Sequence, residues 1–299
     1  MFTVAAFYKF ADLPDYATYR ESLLAACNGY GVKGTILLAA EGVNGTICGT
    51  SSGIEAALDV LRRLPGFADL QHKQSQSSDM AFRKMKVRLK KEIVTMGVAD
   101  IDAAKETGIH VAPEAWNDLI QCPDVALIDT RNDYEVAIGA FENAIDPKTE
   151  SFRDFPDWLC GFKQETGAKK LAMYCTGGIR CEKATAFAKS IGFEEVYHLE
   201  GGILKYLEQV PATTSKWQGD CYVFDDRVSV RHGLAQGDYD KCHACGLPVA
   251  PADKQDERYD EGVACKACWD QYSDDRKARF AERQRQYDLA EKKTQNNKA

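Results

Sequence analysis

The chain has 299 residues, of which 44% are hydrophobic, 28% charged and 10% aromatic, values typical of globular proteins. The composition excludes a mainly disordered chain, a collagen and a coiled coil, and the length predicts two or three domains of about 100–200 residues each. The formal net charge of -7 gives no overall attraction to nucleic acids or membranes, so a polyanionic partner must bind a local basic patch.

The N-terminus and the cysteines indicate the cellular setting. No run of about 18 apolar residues is present, and the first residues lack the pattern of a secretion signal. The chain has 11 cysteines, an odd number, and some form Cys-x-x-Cys pairs, which favours metal or thiol chemistry over a disulfide framework. We expect a cytoplasmic protein that does not enter the membrane.

The first 95 residues alternate between strand and helix patterns. Phe2 to Phe10 is rich in aromatic and β-branched residues, which predicts a strand. The elements predicted after it are a helix at 16–27, a hairpin of strands 34–40 and 44–50 joined by residues 41–44, a helix capped by Ser51 or Ser52, and a strand at 82–94. This β-α-β-β-α-β order predicts a ferredoxin-like, or acylphosphatase-like, α+β sandwich at 1–95.

The last of these strands carries a stripe of basic residues. Alternation along the strand places Met85, Val87 and Leu89 on the face opposite the stripe. A solvated strand face explains such a charge run, and a surface that binds nucleic-acid phosphates is the alternative. The stripe consists of Lys84, Lys86, Arg88 and Lys90. A second basic stretch consists of Arg276, Lys277, Arg279, Arg283, Arg285, Lys292 and Lys293.

A second pattern begins after a predicted linker at 96–111, whose residues are small or polar without a clear period. Pro113 suits the first position of a helix, and the short apolar run from Val125 to Asp129 is typical of a strand in a parallel sheet. Strands and helices then alternate, which predicts an α/β domain at 112–212.

The most informative part of this domain is the run KKLAMYCTGGIRCEKATAFAKSIGF. We predict a strand from Leu171 to Tyr174, a glycine-bearing loop from Cys175 to Arg180, and a helix from Cys181 to Ile191. Ligands of open α/β sheets bind at the carboxyl ends of the strands. The loop therefore places a cysteine where chemistry is expected.

The loop favours a thiolate at Cys175. Its backbone N–H groups, the positive end of the next helix and the Arg180 guanidinium all stabilise a negative charge, which lowers the pKa of a thiol. An inert buried cysteine is the alternative, and it is the ordinary state of a lone cysteine. The coincidence of strand, loop and helix favours the functional interpretation. The residues expected to contribute loop amides are Thr176, Gly177, Gly178 and Ile179.

Four segments together resemble the rhodanese superfamily over about residues 112–210: Asp129-Thr130-Arg131, IGAFENAI, the six-residue Cys175 loop, and HLEGG. The resemblance implies that Cys175 carries a persulfide and that Asp129 and Arg131 brace the loop, although a purely structural salt bridge explains that pair equally well. The short loop favours sulfur or small-ligand chemistry over hydrolysis of phosphate esters. Cys181 is either a thiol that resolves an oxidised Cys175 or an inert helix residue.

Nearly the whole chain resembles the bacterial rhodanese-like tRNA uridine(34) hydroxylase family, through GTILLAAEGVNGTICG, FRKMKVRLKKEIV, YCTGGIRCEK, GDCYVFDDRVSV and the cysteine pairs. This resemblance implies an oxidoreductase that uses O₂ to form 5-hydroxyuridine at the wobble position. It also implies that the partner is the tRNA anticodon region and that the basic stripe binds the phosphates of the tRNA. The residues themselves show no flavin or NAD fingerprint and no non-haem iron triad. The electron donor and the oligomeric state stay open.

The C-terminal region, predicted at 213–299, contains two cysteine pairs and ends in a charged helix and polar tail. The pairs are separated by nineteen residues, a spacing typical of a structural tetrahedral zinc site, with disulfides or free thiols as the alternative. The predicted zinc ligands are Cys242, Cys245, Cys265 and Cys268.

Two other functions remain open at the level of the sequence. The loop alone also predicts a thiosulfate or persulfide sulfurtransferase, which would not depend on tRNA. A non-catalytic module that binds RNA or protein is the third interpretation, and it predicts an unreactive Cys175.

Overall fold

The computed structural model of the chain describes residues 1–296, with side chains described for residues 1–290. These residues form two compact units. The first unit comprises Met1–Asp226 and Val230–Gln236, and the second comprises Arg227–Ser229 and the chain from Gly237 onward. The end of the predicted polar tail and the side chains of Lys292 and Lys293 lie outside the described residues.

The first unit begins with a five-stranded sheet of strand order β4-β1-β3-β2-β5. Its strands are β1 (Phe2–Phe10), β2 (Lys33–Ala39), β3 (Gly42–Gly49), β4 (His72–Ser77) and β5 (Met85–Leu89), and its helices are α1 (Arg20–Gly29) and α2 (Ser51–Arg62). The two helices share an apolar core with the sheet, as Leu23 of α1 and Leu58 of α2 illustrate. The structure confirms the predicted ferredoxin-like sandwich.

The strand that closes the sandwich differs from the prediction. Besides β3, strand β1 pairs with β4, whose sequence HKQSQS has no apolar alternation and so predicts no strand. The basic segment instead forms β5, a fifth strand that pairs parallel to β2 at the opposite edge. Met85 and Val87 pack in the core as predicted, but Leu89 is 41% exposed.

Two turns also differ from the predictions. The hairpin turn consists of Ala40 and Glu41, because Ala39 already pairs with Gly42. A glycine is required at residue 42, where φ is +143° and an added Cβ would lie 2.1 Å from the Lys9 carbonyl oxygen. The cap of α2 is Thr50, whose hydroxyl accepts the Gly53 N–H at 3.1 Å.

The second part of the first unit is built on a four-stranded parallel sheet of order β6-β10-β9-β7. Its strands are β6 (Ile109–Val111), β7 (Val125–Asp129), β9 (Lys170–Tyr174) and β10 (Glu195–Leu199), with β8 (Gly139–Phe141) outside the sheet. The helices are α3 (Pro113–Ile120), α4 (Asp133–Val136), α5 (Phe155–Thr166), α6 (Ile179–Ser190) and α7 (Gly202–Gln209). This arrangement confirms the predicted α/β domain.

Two boundaries in this part differ from the sequence interpretation. Strand β6 lies within the predicted linker, and Met96 of that segment is buried among the side chains of the α/β core. Helix α6 begins at Ile179, so that Ile179 and Arg180 belong to its first turn rather than to the loop.

The remaining elements are short, apart from the last helix. They are β11 (Trp217–Gly219), which pairs with β8, then β12 (Cys221–Tyr222), β13 (Ser229–Val230), β14 (Asp240–Lys241), β15 (Pro248–Val249) and α8 (Asp274–Asn296). In the second unit the buried core consists largely of cysteines, with Val249 and Ala264 packed among them. Among the described helices, none has the length and apolar composition needed to cross a bilayer.

Candidate active site

Cys175 follows the last residue of β9 and is 1% exposed. The Gly178 N–H donates a hydrogen bond to its Sγ atom at 3.1 Å. Burial raises the pKa of Cys175. The Cys181 thiol, the Arg180 charge and the backbone N–H groups of both residues lower it by a larger amount, so that the pKa is about 6. Burial and the neighbouring Cys175 raise the pKa of Cys181 well above its usual value. Cys175 is therefore the thiolate of the pair, and Cys181 the thiol.

Arg180 is held in place by a carboxylate that the sequence did not point to. Its Nη1 and Nη2 atoms donate to Glu135 Oε2 and Oε1, both at 2.7 Å. Burial raises the pKa of Glu135, but the Arg180 charge outweighs it and keeps the carboxyl ionised. The only signal in the sequence was the capping-box spacing from Asn132 to Glu135, which marks a helix start and no active-site role.

Asp129 and Arg131 form a fully buried ion pair. Arg131 Nη2 lies 2.6 Å from Asp129 Oδ2, and neither side chain is exposed. The guanidinium also donates to the carbonyl oxygens of Glu135 at 3.2 Å and Gly139 at 2.6 Å. The Asp129–Arg131 pair thus contacts the segment that carries Glu135. That the pair braces the Cys175 loop stays a prediction.

Two side chains of the N-terminal sandwich reach the Cys175 loop. Lys73 of β4 donates to the Gly177 carbonyl oxygen at 2.9 Å, and burial lowers the pKa of Lys73 to about 8. Tyr8 of β1 lies against Gly178, where an added Cβ would come within 2.8 Å of its hydroxyl. Sequence reasoning missed both residues, since about a hundred or more positions separate them from the loop.

An exposed aromatic side chain, Phe224, packs on a residue that contacts the loop. Thr176 Oγ1 donates to the Tyr222 carbonyl oxygen at 3.5 Å, and the Tyr222 ring meets the Phe224 ring edge to face at 5.1 Å. Phe224 is 56% exposed. A flat apolar ring in this position offers a nucleobase a surface on which to stack.

The basic stripe lies away from the loop. Lys84 precedes β5, Lys86 and Arg88 lie on it, and Lys90 follows it. Four strand spacings separate β5 from β4, the strand that carries Lys73 to the loop, which amounts to about 19 Å. A polyanion that contacts both the stripe and the loop must therefore be large.

The four cysteines of the second unit converge on one point. The Sγ atoms of Cys242 and Cys268 lie 3.8 Å apart, and those of Cys245 and Cys265 lie 3.7 Å apart. Four sulfurs placed about 2.3 Å from a tetrahedral zinc ion are about 3.8 Å from each other, whereas a disulfide needs about 2.05 Å. The donor set fits a metal ion such as zinc and does not fit disulfides.

The fold and the loop define a class of protein: a rhodanese-type thiol protein with an acylphosphatase-like domain. Residues 2–93 match the family model of the UPF0176 acylphosphatase-like domain, and residues 112–209 match that of the rhodanese-like domain. A rhodanese-like domain from Anabaena is 18% identical, with a TM-score of 0.30 over 37% of this chain and 78% of that one.

Relatives of nearly full length are more informative. A protein of Agrobacterium fabrum named tRNA uridine(34) hydroxylase is 56% identical over 97% of this chain and 92% of its own length. One of Teredinibacter turnerae with the same name is 53% identical over 98% of this chain and 91% of its own length. The chain belongs to the tRNA uridine(34) hydroxylase family.

Proposed function

We propose that the chain hydroxylates uridine 34 of tRNA to 5-hydroxyuridine, with O₂ as the source of the oxygen atom and Cys175 as the reactive group. The observation that carries this proposal is the 56% identity to a tRNA uridine(34) hydroxylase over 97% of the chain. The thiolate in the Cys175 loop supports it, because a thiolate is both a nucleophile and a reductant. Since the substrate is tRNA, we place the reaction in the cytoplasm.

The reaction needs two electrons in addition to O₂. One oxygen atom enters the C5–H bond of uracil, and the other leaves as water after taking up two electrons and two protons. Oxidation of the Cys175 thiolate and the Cys181 thiol to a disulfide releases two electrons and one proton, and solvent supplies the second proton. In this account Cys181 is the resolving thiol, and an external thiol reduces the disulfide before the next turnover.

The target base must leave the anticodon stack to reach Cys175. Phe224, whose exposed ring packs on Tyr222, is the ring on which the displaced base would stack. The stripe of Lys84, Lys86, Arg88 and Lys90 would bind phosphates elsewhere on the same tRNA. The four-cysteine cluster would hold a structural zinc ion, because four protein ligands leave no open position for a reactant.

Nucleoside mass spectrometry tests the proposal. Unmodified tRNA incubated in air with the protein and a thiol reductant should gain one oxygen on uridine 34, and Cys175→Ser should abolish the gain. Cys122→Ser, which removes an exposed cysteine, is the matched control and should keep full activity. Full activity of Cys175→Ser would refute the role of the thiolate.

A sulfurtransferase is the second candidate, favoured by the Gly178 N–H that points at Cys175 Sγ, where it would hold a persulfide. This candidate predicts thiocyanate release from thiosulfate and cyanide that requires Cys175 and no tRNA. A gain of sulfur rather than oxygen on the tRNA would favour a tRNA sulfurtransferase.

A further inference from the structure

Two histidines lie side by side on neighbouring strands of the parallel sheet. His198 of β10 is the register partner of His110 of β6, and their ring centroids are 4.0 Å apart. Register partners on parallel strands project from the same side of a sheet. Both imidazoles project from the side on which Glu182 of helix α6 lies.

Helix α6 supplies a carboxylate between the two rings. Glu182 Oε1 lies 3.2 Å from His110 Nε2, and Glu182 Oε2 lies 3.9 Å from His198 Nε2. Two ligands bound about 2.1 Å from one metal ion are about 3.0–3.4 Å from each other. The three side chains offer ligand atoms that all lie within 4.8 Å of one another, so small rotations of the side chains suffice to bind one ion.

The surroundings of His198 indicate a missing ligand. It is 1% exposed, and its Nε2 atom lies 3.9 Å from Glu182 Oε2, too far for a hydrogen bond. A buried polar group without a partner costs about 1–3 kcal/mol, so such groups are rare. A bound metal ion would give Nε2 a partner.

We propose that His110, Glu182 and His198 form a binding site for a divalent transition-metal ion, ferrous iron in the working protein. Two histidines and one carboxylate, with other positions open, are the ligand set of non-haem Fe(II) proteins that use O₂. The hydroxyls of Tyr8 and Thr107 donate to Glu182 at 3.0 and 2.9 Å, as outer partners of a metal carboxylate do.

The site adjoins the Cys175 loop. Glu182 follows Cys181 in α6, and Tyr8, which is hydrogen-bonded to Glu182, lies against Gly178. An ion here would offer O₂ a binding position near the thiolate and the base. This role of the ion rests on the proposed hydroxylation, whereas the binding of the ion does not.

Manganese binding to the chain loaded with one equivalent of zinc tests the site, because Mn²⁺ prefers oxygen ligands to soft thiolates and leaves the four cysteines to zinc. We expect electron paramagnetic resonance to detect one bound Mn²⁺ per chain, and anaerobic Fe²⁺ to displace it. His110→Ala is the main variant, because its side chain is 44% exposed and its loss spares the core. His110→Ala should weaken binding by at least about 100-fold, more than the loss of an outer partner does.

Two further variants complete the test. Glu182→Gln keeps the volume of the side chain, removes its charge and should weaken binding similarly. His72→Ala removes a histidine of the N-terminal sheet and should leave binding unchanged. No Mn²⁺ or Fe²⁺ bound at millimolar concentration, or equal binding in all three variants, would overturn the proposal. Hydroxylation by a metal-free chain would refute the metal's role alone, and metal binding without hydroxylation would refute the proposed function alone.

Discussion

At the scale of the residue, the reactivity of Cys175 depends on the balance between burial and the groups that stabilise its charge. Burial raises the pKa, and Cys181, Arg180 and the backbone N–H groups lower it to about 6. Since the pKa is lowered, the thiolate is present above pH 6 and disappears as the pH falls through that value. Activity that depends on the thiolate should decline over the same interval.

Cys181→Ala should raise the pKa of Cys175 from about 6 toward the ordinary thiol value of about 8.5, because it removes a hydrogen bond to the thiolate. The thiolate absorbance in the ultraviolet, measured against pH and corrected by subtracting the Cys175→Ser protein, checks this shift. An unchanged midpoint would contradict the account.

Glu135→Gln should destabilise the first unit by about 3–5 kcal/mol, because it leaves the buried Arg180 guanidinium without its counter-charge. Urea unfolding measures the change. Glu142→Gln is the matched control, since Glu142 forms an exposed ion pair with Lys216 and its removal should cost less than about 1 kcal/mol. Equal losses of unfolding free energy in the two variants would show that the Glu135–Arg180 pair stabilises the protein no more than an exposed ion pair does.

The sequence revealed the residues that are close together along the chain. Cys175 and Arg180 were predictable because one strand, loop and helix bring them together. Glu135, Tyr8 and Lys73 were not, since each comes from an element far from the loop in sequence. The absence of a readable iron motif has the same cause, because the proposed ligands lie on two strands and a helix.

At the scale of the element, alternation identified the buried face of the basic strand but not its place in the sheet. The sequence of β4 is polar throughout, so periodicity predicts the basic segment, wrongly, as the last strand of the sandwich. Pairing order depends on long-range interactions that local periodicity does not encode. The consequence is functional, since β4 rather than β5 carries the lysine that binds the Cys175 loop.

Reversing the charges of Lys84, Lys86 and Arg88 to glutamate should weaken tRNA binding and flatten its salt dependence. The logarithmic slope should fall by up to about 0.9 for each phosphate that the stripe no longer neutralises. Affinity measured at several salt concentrations checks this. Replacement of Lys105, Lys148 and Lys169 by glutamate changes the net charge by the same amount and is the control. Equal affinity of the two triple variants would point to the C-terminal basic stretch instead.

Lys73→Met should raise the pKa of Cys175, because the ammonium group interacts with the thiolate across the loop. The ultraviolet titration used for Cys181→Ala measures the shift. Lys9→Met, in strand β1 and paired with Asp69, is the control and should leave the pKa of Cys175 unchanged. An unchanged pKa of Cys175 in Lys73→Met would show that Lys73 does not stabilise the charge of the thiolate.

At the scale of the whole molecule, the two units depend on different sources of stability. The first has extensive apolar cores, whereas the second has a small core made largely of the four cysteines. Removal of zinc should unfold the second unit and spare the first, because a metal bound only by the folded state contributes its binding free energy to folding. Limited proteolysis after chelation should cut beyond residue 237 and leave the pH titration of Cys175 unchanged. A chain that resists proteolysis without metal would contradict a structural zinc site.

The central claim is that the Cys175 loop directs an oxygen atom from O₂ into uridine 34. The most direct measurement is nucleoside mass spectrometry of tRNA treated with the protein under isotopically heavy O₂ in ordinary water. We predict that the new hydroxyl carries the heavy isotope, and that Cys175→Ser forms no product. A hydroxyl that carries the oxygen of water, or a labelled product from Cys175→Ser, would contradict the account.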